Sequence, residues 1–169
     1  MTLSLSAAAE EKQNFLGMKA SNISGYGIYY ARTFMDNYRI KGIGFSYYFQ
    51  SDKNNDSRTI FNYDAGLELQ RFIHRSGNMR VYILAGAYYY SDTDTEKTPE
   101  NENKSVTDSY NTGVGIGVEL IRGRATFSFE TGYKYYKDDI DIYTDGKLTG
   151  FERKRTTKLG GGISIGFMF

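Results

Sequence analysis

The chain has no cysteine, no tryptophan, a single proline and a single histidine in 169 residues. The missing cysteine excludes a disulfide scaffold, thiol catalysis and any cysteine-based zinc or iron–sulfur site. An excess of charge of either sign is missing as well: 21 Lys and Arg face 20 Asp and Glu, for a net charge of +1. That balance gives no electrostatic reason to expect a nucleic acid as partner. There is also no apolar run of about 18 residues, so no transmembrane helix is expected. The other way of crossing a membrane stays open. A closed β-barrel crosses with segments that are polar at every second residue, so a mean hydropathy of −0.54 does not count against it.

What the chain has is aromatic side chains and glycine: 16 Tyr, 11 Phe and 19 Gly. Aromatics at 16% are too many for a disordered chain, and the near absence of proline suits strands. The length fits one domain of roughly 100–200 residues. Residues 1–12, with Ala7-Ala-Ala9 before Glu10, read as the remnant of a secretory signal or as a flexible tail, and 13–169 as the folded domain.

Alternation with a period of two recurs between turn residues and gives eight strands, at about 13–20, 25–35, 38–50, 58–73, 79–91, 107–121, 125–144 and 147–169. The connections alternate in length. Asp36-Asn37, His74–Asn78 and Arg122–Arg124 are short, whereas 51–57 and 92–106 are longer and polar. Asp145-Gly146 is a type I′ hairpin signal at the tip of an extended 137–153 hairpin. Ser21–Ser24 is short where that rule expects length. Short turns on one side and long loops on the other are the habit of outer-membrane barrels.

Alternation alone does not tell inside from outside, so side-chain size decides. Val114, Ile116, Val118 and Leu120 alternate with Gly113, Gly115, Gly117 and Glu119; Phe61, Tyr63, Ala65, Leu67 and Leu69 alternate with Asn62, Asp64, Gly66, Glu68 and Gln70. An eight-stranded interior is only just wide enough to be filled by side chains. Glycines therefore belong inside, with Tyr48, Tyr82 and Tyr88 filling the space, and bulky Phe, Ile and Leu belong outside against lipid. Tyr63, Tyr89, Tyr133 and Tyr135 then suit an interfacial girdle. The expected fold is an all-β, eight-stranded antiparallel up-and-down transmembrane barrel with a polar, filled interior. A soluble ligand-binding barrel is the fold-level alternative. The inner face is expected to carry Lys19, Arg32, Lys134 and Lys158 against Asp64, Glu68, Glu119 and Glu130, a balanced structural charge network, with Arg32 placed inward by its charge alone.

Carried by this alternation from about Gln13 to Phe169 and by the ending Lys158-Leu-Gly-Gly-Gly-Ile-Ser-Ile-Gly-Phe-Met-Phe169, the chain resembles the small eight-stranded outer-membrane proteins of Gram-negative bacteria, the OmpX-like and OmpA transmembrane-domain-like barrels. The resemblance implies residence in the outer membrane, with its lipid as partner. It also implies recognition of Ile163, Ile165, Phe167 and Phe169 by the barrel-assembly machinery.

Small outer-membrane barrels include lipid A deacylases and palmitoyltransferases, which use His with Ser and an acid near the outer leaflet. Here the one histidine, His74, falls in a turn at the opposite end. The pair Glu68 and Glu119 could do acid–base work, but the balancing cations favour a structural role. The glycines of Gly113–Gly117 recur at every second residue and precede no helix, so they are not a nucleotide fingerprint. Asp92, Asp94 and Glu96 could gather a hard cation, although their spacing does not match an EF-hand. The expectation is a protein without catalytic residues, cofactor or metal, acting as a structural or surface-interaction (adhesion-like) element. Its loops 51–57 and 92–106 and its 137–153 hairpin would meet an extracellular protein partner. A narrow channel is the alternative from the transport class, and a lipid A-modifying enzyme stands behind it.

Overall fold

The computed structural model describes residues 14–35, 37–53 and 56–169; the expected signal remnant or tail at 1–12 lies outside them. Eight strands follow one another: β1 (Asn14–Ser21), β2 (Gly25–Phe34), β3 (Tyr38–Lys53), β4 (Asp56–Ser76), β5 (Met79–Lys97), β6 (Glu102–Arg122), β7 (Ala125–Thr144) and β8 (Lys147–Met168). Each pairs antiparallel with its chain neighbour, and β8 returns to β1, closing the barrel. Closure through Phe15↔Met168 to Ser21↔Gly162 leaves no open edge at this level.

The two faces separate as side-chain size requires. Leu16, Met18, Ile28, Leu67, Val114, Ile116, Phe129, Ile163 and Ile165 are exposed on the outer surface, whereas Lys19, Glu68, Gln70, Tyr82, Glu119, Thr126 and Ser128 are buried within. A water-soluble barrel would reverse this arrangement, so the soluble alternative falls. Glycine makes the interior possible. A Cβ on Gly117 would collide with the Tyr82 ring, and one on Gly166 with the Tyr29 hydroxyl. Tyr82 and Tyr88 are buried as expected, but Tyr48 is 60% exposed. Tyr48 pairs with Phe61 of the outer row, because β3 turns its odd positions Arg39, Lys41 and Ile43 inward. Across β4, β5 and β6 the outer aromatics touch in sequence: Phe61–Tyr63 at 6.0 Å between ring centres, Tyr63–Tyr89 at 5.4 Å and Tyr89–Tyr110 at 4.9 Å.

Two expected loops turn out to be sheet. β3 runs to Lys53 and β4 starts at Asp56, so most of 51–57 is ladder; β5 and β6 stay paired out to Lys97↔Glu102, which absorbs most of 92–106. The polar composition hid a continuing alternation of Thr and Val with Asp and Ser, which a paired ladder accepts when both faces are wet. The remaining turn is tight, with the Thr98 N–H donating to the Asn101 carbonyl at 2.9 Å. The β7–β8 hairpin turns at Asp145 and Gly146 with φ of 49° and 73°, the doubly left-handed pair of a type I′ turn.

The wall is uneven in height. β1 and β2 have 8 and 10 residues, whereas β3 to β8 have 16 to 22. The β2–β3 ladder ends at Ile28↔Gly44 and the β1–β8 ladder at Ser21↔Gly162. Above those pairs β3 to β8 stand as a curved fence whose outermost strands carry free edges.

Gly117→Leu is expected to destabilise the barrel by about 1–3 kcal/mol through overpacking against Tyr82. Gly42→Leu, where the nearest atom to a new Cβ is 4.0 Å away, is expected to cost less than about 0.5 kcal/mol, as on an uncrowded surface. Urea unfolding of the refolded variants in lipid checks both.

Candidate functional site

The interior holds two charge clusters, one above the other. In the lower, Arg39 of β3 grips Glu119 of β6 with two bonds, Nη1 to Oε2 at 2.6 Å and Nη2 to Oε1 at 3.1 Å. Arg80 of β5 approaches the same carboxylate at 3.5 Å. The Arg39 guanidinium also lies over the rings of Phe15 at 3.8 Å and Phe72 at 4.8 Å. Such a planar, bidentate cation sandwiched by aromatics suits a dry site better than an ammonium would.

In the upper cluster, Lys19 of β1 bridges Glu68 of β4 at 2.5 Å and Glu130 of β7 at 2.8 Å. Lys41 lies 3.6 Å from Glu68 and over the Tyr29 ring at 4.5 Å. Gln70 links the clusters: its Nε2 donates to Glu68 at 2.7 Å and its Oε1 accepts from Arg39 at 3.4 Å. Both oxygens of Glu68 and both of Glu119 are engaged by Lys19, Lys41, Arg39 and Arg80, which leaves neither poised for acid–base work.

The short β1–β2 turn, which broke the loop-length pattern, dips into the mouth and closes it. Ile23 and Ser24 are fully buried. The Ser24 hydroxyl donates to Glu68, and the Ser21 hydroxyl donates to Glu130 at 2.5 Å. Asn22 clips the turn to β8, its N–H donating to the Gly161 carbonyl at 3.2 Å and its Oδ1 accepting from the Gly161 N–H at 2.8 Å. The turn fits because the facing wall is glycine. A Cβ on Gly113 would meet Ile23 at 2.6 Å, and one on Gly86 would meet Ser24 at 2.7 Å.

Of the eight residues expected in the charge network, Lys19, Glu68, Glu119 and Glu130 lie within it. Asp64 is buried at the level of the turn and accepts from the Tyr26 N–H at 3.3 Å. Lys134 and Lys158 stand higher, in the mouth above the turn. Arg32 is on the outer face, exposed between Tyr30 and Phe34. Its charge suggested the interior, but its parity with the exposed Ile28 and Tyr30 governs the facing. The inner cations that sequence reasoning missed are Arg39, Lys41 and Arg80. The signal was present for Arg80, which shares its parity with Tyr82 and Tyr88.

The other candidate residues lie toward the two ends of the barrel. His74 is exposed at the lower end of β4, beyond a bulge at Ile73. Asp92, Asp94 and Glu96 line one face of β5 instead of gathering in a loop. Arg58 binds Asp94 through two bonds, of 3.1 and 2.6 Å, and holds its carboxyl below the usual carboxylate range. Among the described residues no group of three or more His, Cys, Asp or Glu could hold a metal ion. Ile163, Ile165, Phe167 and Phe169 form an exposed outward row at the end of the chain.

The sequence matches no family model and no curated protein. Among solved structures, the fold is similar to that of a major outer membrane protein from Thermus thermophilus. The two share 11% identity over 91% of this chain and 98% of that one, with a TM-score of 0.50. Acinetobacter baumannii CarO (10% identity, 94% and 98% covered, TM-score 0.43) and CarO2 (11%, 93% and 100%, 0.41) also match. The likeness to the Thermus protein is one of fold, an all-β ring of antiparallel up-and-down strands. The finer OmpX-like resemblance rests on the sequence.

Glu119→Ala strips Arg39 of its carboxylate in a dry interior and is expected to destabilise the barrel by about 3–5 kcal/mol. Arg32→Ala, on the outer face, is expected to stay within about 0.5 kcal/mol of the parent. Denaturant midpoints of the two variants, measured side by side, check the assignment of the interior.

Proposed function

We propose that this chain is an integral outer-membrane protein without catalytic activity, a closed barrel that serves as a structural and surface-interaction element. The supporting observation is the contrast between its two halves. Inside the lipid-facing band Lys19, Arg39, Lys41 and Arg80 are each paired with a carboxylate, and the β1–β2 turn is seated in the mouth. Above it, six strands continue as a fence that closure does not need, since a membrane crossing takes about 9–11 residues per strand. The fence offers two free strand edges, β3 from Phe45 and β8 up to Gly160, and such edges pair with an added strand. Along its rim Ile142, Leu148 and Phe151 are exposed. An extracellular protein is the partner this surface suits, with outer-membrane lipid around the barrel. The outward row of Ile163, Ile165, Phe167 and Phe169 suits docking to the barrel-assembly machinery during biogenesis.

An epitope inserted between Asp145 and Gly146 should be stained by antibody on intact Gram-negative cells. A fence trimmed by joining Tyr136 to Thr156 through Asn-Gly should still assemble but lose adhesion to the surfaces that cells carrying the parent bind. Staining only after permeabilisation would contradict the orientation, and full adhesion by the trimmed barrel would remove the fence from the function.

A further inference from the structure

Above the β1–β2 turn the mouth opens into a polar cavity of about 510 Å³. Lys134 and Lys158 are direct partners in the β7–β8 ladder, so both side chains leave the wall on the same side, with Cβ atoms about 5 Å apart. Like charges placed opposite one another on a sheet repel. The chain accepts that repulsion here and lets the two ammonium groups converge. Both lie over the one Tyr136 ring, 4.9 and 5.0 Å from its centre, and Lys134 Nζ donates to the Tyr88 hydroxyl at 3.4 Å. Among the described residues no carboxylate comes within ion-pair distance of either lysine. Asp138 acts on both lysines through space from beyond that distance and accepts from the Ser109 hydroxyl. Below the turn, by contrast, Lys19, Arg39, Lys41 and Arg80 all reach a carboxylate.

We propose that this mouth binds a small phosphomonoester, with the phosphate held between Lys134 and Lys158. A phosphomonoester carries about −1.5 to −2 charges at pH 7 and three strong acceptor oxygens, so one group reaches both ammonium groups at once and outweighs the single carboxylate charge of Asp138 that acts on them from a distance. Lysine serves such a group as a point charge with several donors. The rest of the cavity selects a hydroxylated body. Asp64 and Asp138 accept hydroxyl donors, Asn22 and Asn111 both give and accept, and the Tyr90 ring offers a face to a short carbon chain. The phosphate can arrive on a free solute or on a lipid headgroup leaning over the low β1–β2 wall, and the chemistry is the same.

The test is isothermal titration of the refolded full chain in dodecyl maltoside, whose headgroup carries no phosphate. The probes are inorganic phosphate, glycerol 3-phosphate and dihexanoyl phosphatidic acid. Saturable binding is expected, weakened about tenfold or more in Lys134→Gln and in Lys158→Gln by loss of a charge-assisted contact. Lys137→Gln, on the outer face, should bind like the parent. Binding of the first two probes assigns a free solute; lysine-dependent binding of phosphatidic acid alone assigns the headgroup. In the parent protein, phosphate should also shift the backbone amide signals of Tyr135 and Leu159, a readout that needs no variant to fold. No saturable binding of any probe, or binding unchanged in a variant carrying both Lys134→Gln and Lys158→Gln, overturns the proposal.

Discussion

Hydrocarbon offers no hydrogen-bond partner, and that constraint organises the whole molecule. Each backbone N–H and C=O at membrane depth must find its partner within the protein, and a sheet achieves this only by closing on itself. The ladder from β1 round to β8 and back meets the requirement. Closure then fixes the composition of the two faces. The outside must be apolar and bulky. The inside of an eight-stranded ring has little room, so glycine alternates with whatever side chains fill it. Gly113, Gly115 and Gly117, alternating with Val114, Ile116 and Val118, record both demands in one short stretch of β6.

The charges inside follow from the same geometry. A slip of one residue in any ladder would turn that strand's inner row towards lipid. An Arg or Lys facing the middle of the bilayer costs about 2–4 kcal/mol. The network of Lys19, Arg39, Lys41, Glu68, Arg80, Glu119 and Glu130 draws on β1, β3, β4, β5, β6 and β7, so most ladders carry a charge that penalises the slipped register. Ion pairing inside the ring thereby offsets a buried-charge cost that would otherwise weigh against the fold. The β1–β2 turn completes the arrangement, since Ser21 and Ser24 supply hydroxyl donors to the very carboxylates that Lys19 bridges.

The strands, and the facing of β4 and β6 to β8, were legible because period-two alternation is written in residue size, whereas on β3 the expectation put Tyr48 inside and missed the inward Arg39 and Lys41. Three further features were hidden. Arg32 carries a charge on the outer row, where composition argues for the interior and only its parity with Ile28 and Tyr30 places it. The stretch from Asp92 to Val106 looked like loop because hairpins standing in water on both faces lose the apolar half of the alternation that marks a strand. The turn at Ser21–Ser24 was visible as too short for its place, but its inward fold depends on glycines from β4, β5, β6 and β8 meeting in space. No local pattern in the sequence encodes that meeting. Lys134 and Lys158 share the inward parity, yet the height of a residue along a strand decides whether it joins a network or lines a mouth, and height depends on the barrel's shear.

A closed, inserted barrel whose lumen is filled by paired charges and whose mouth is seated with the β1–β2 turn leaves ions no path across the membrane. Planar-bilayer recording of the refolded protein, with protease protection run on the same preparation to establish insertion, tests this most directly. An electrically silent membrane from a protected, inserted barrel is the expected result. Discrete and reproducible conductance steps would contradict it, and the function would then lie in transport through the lumen.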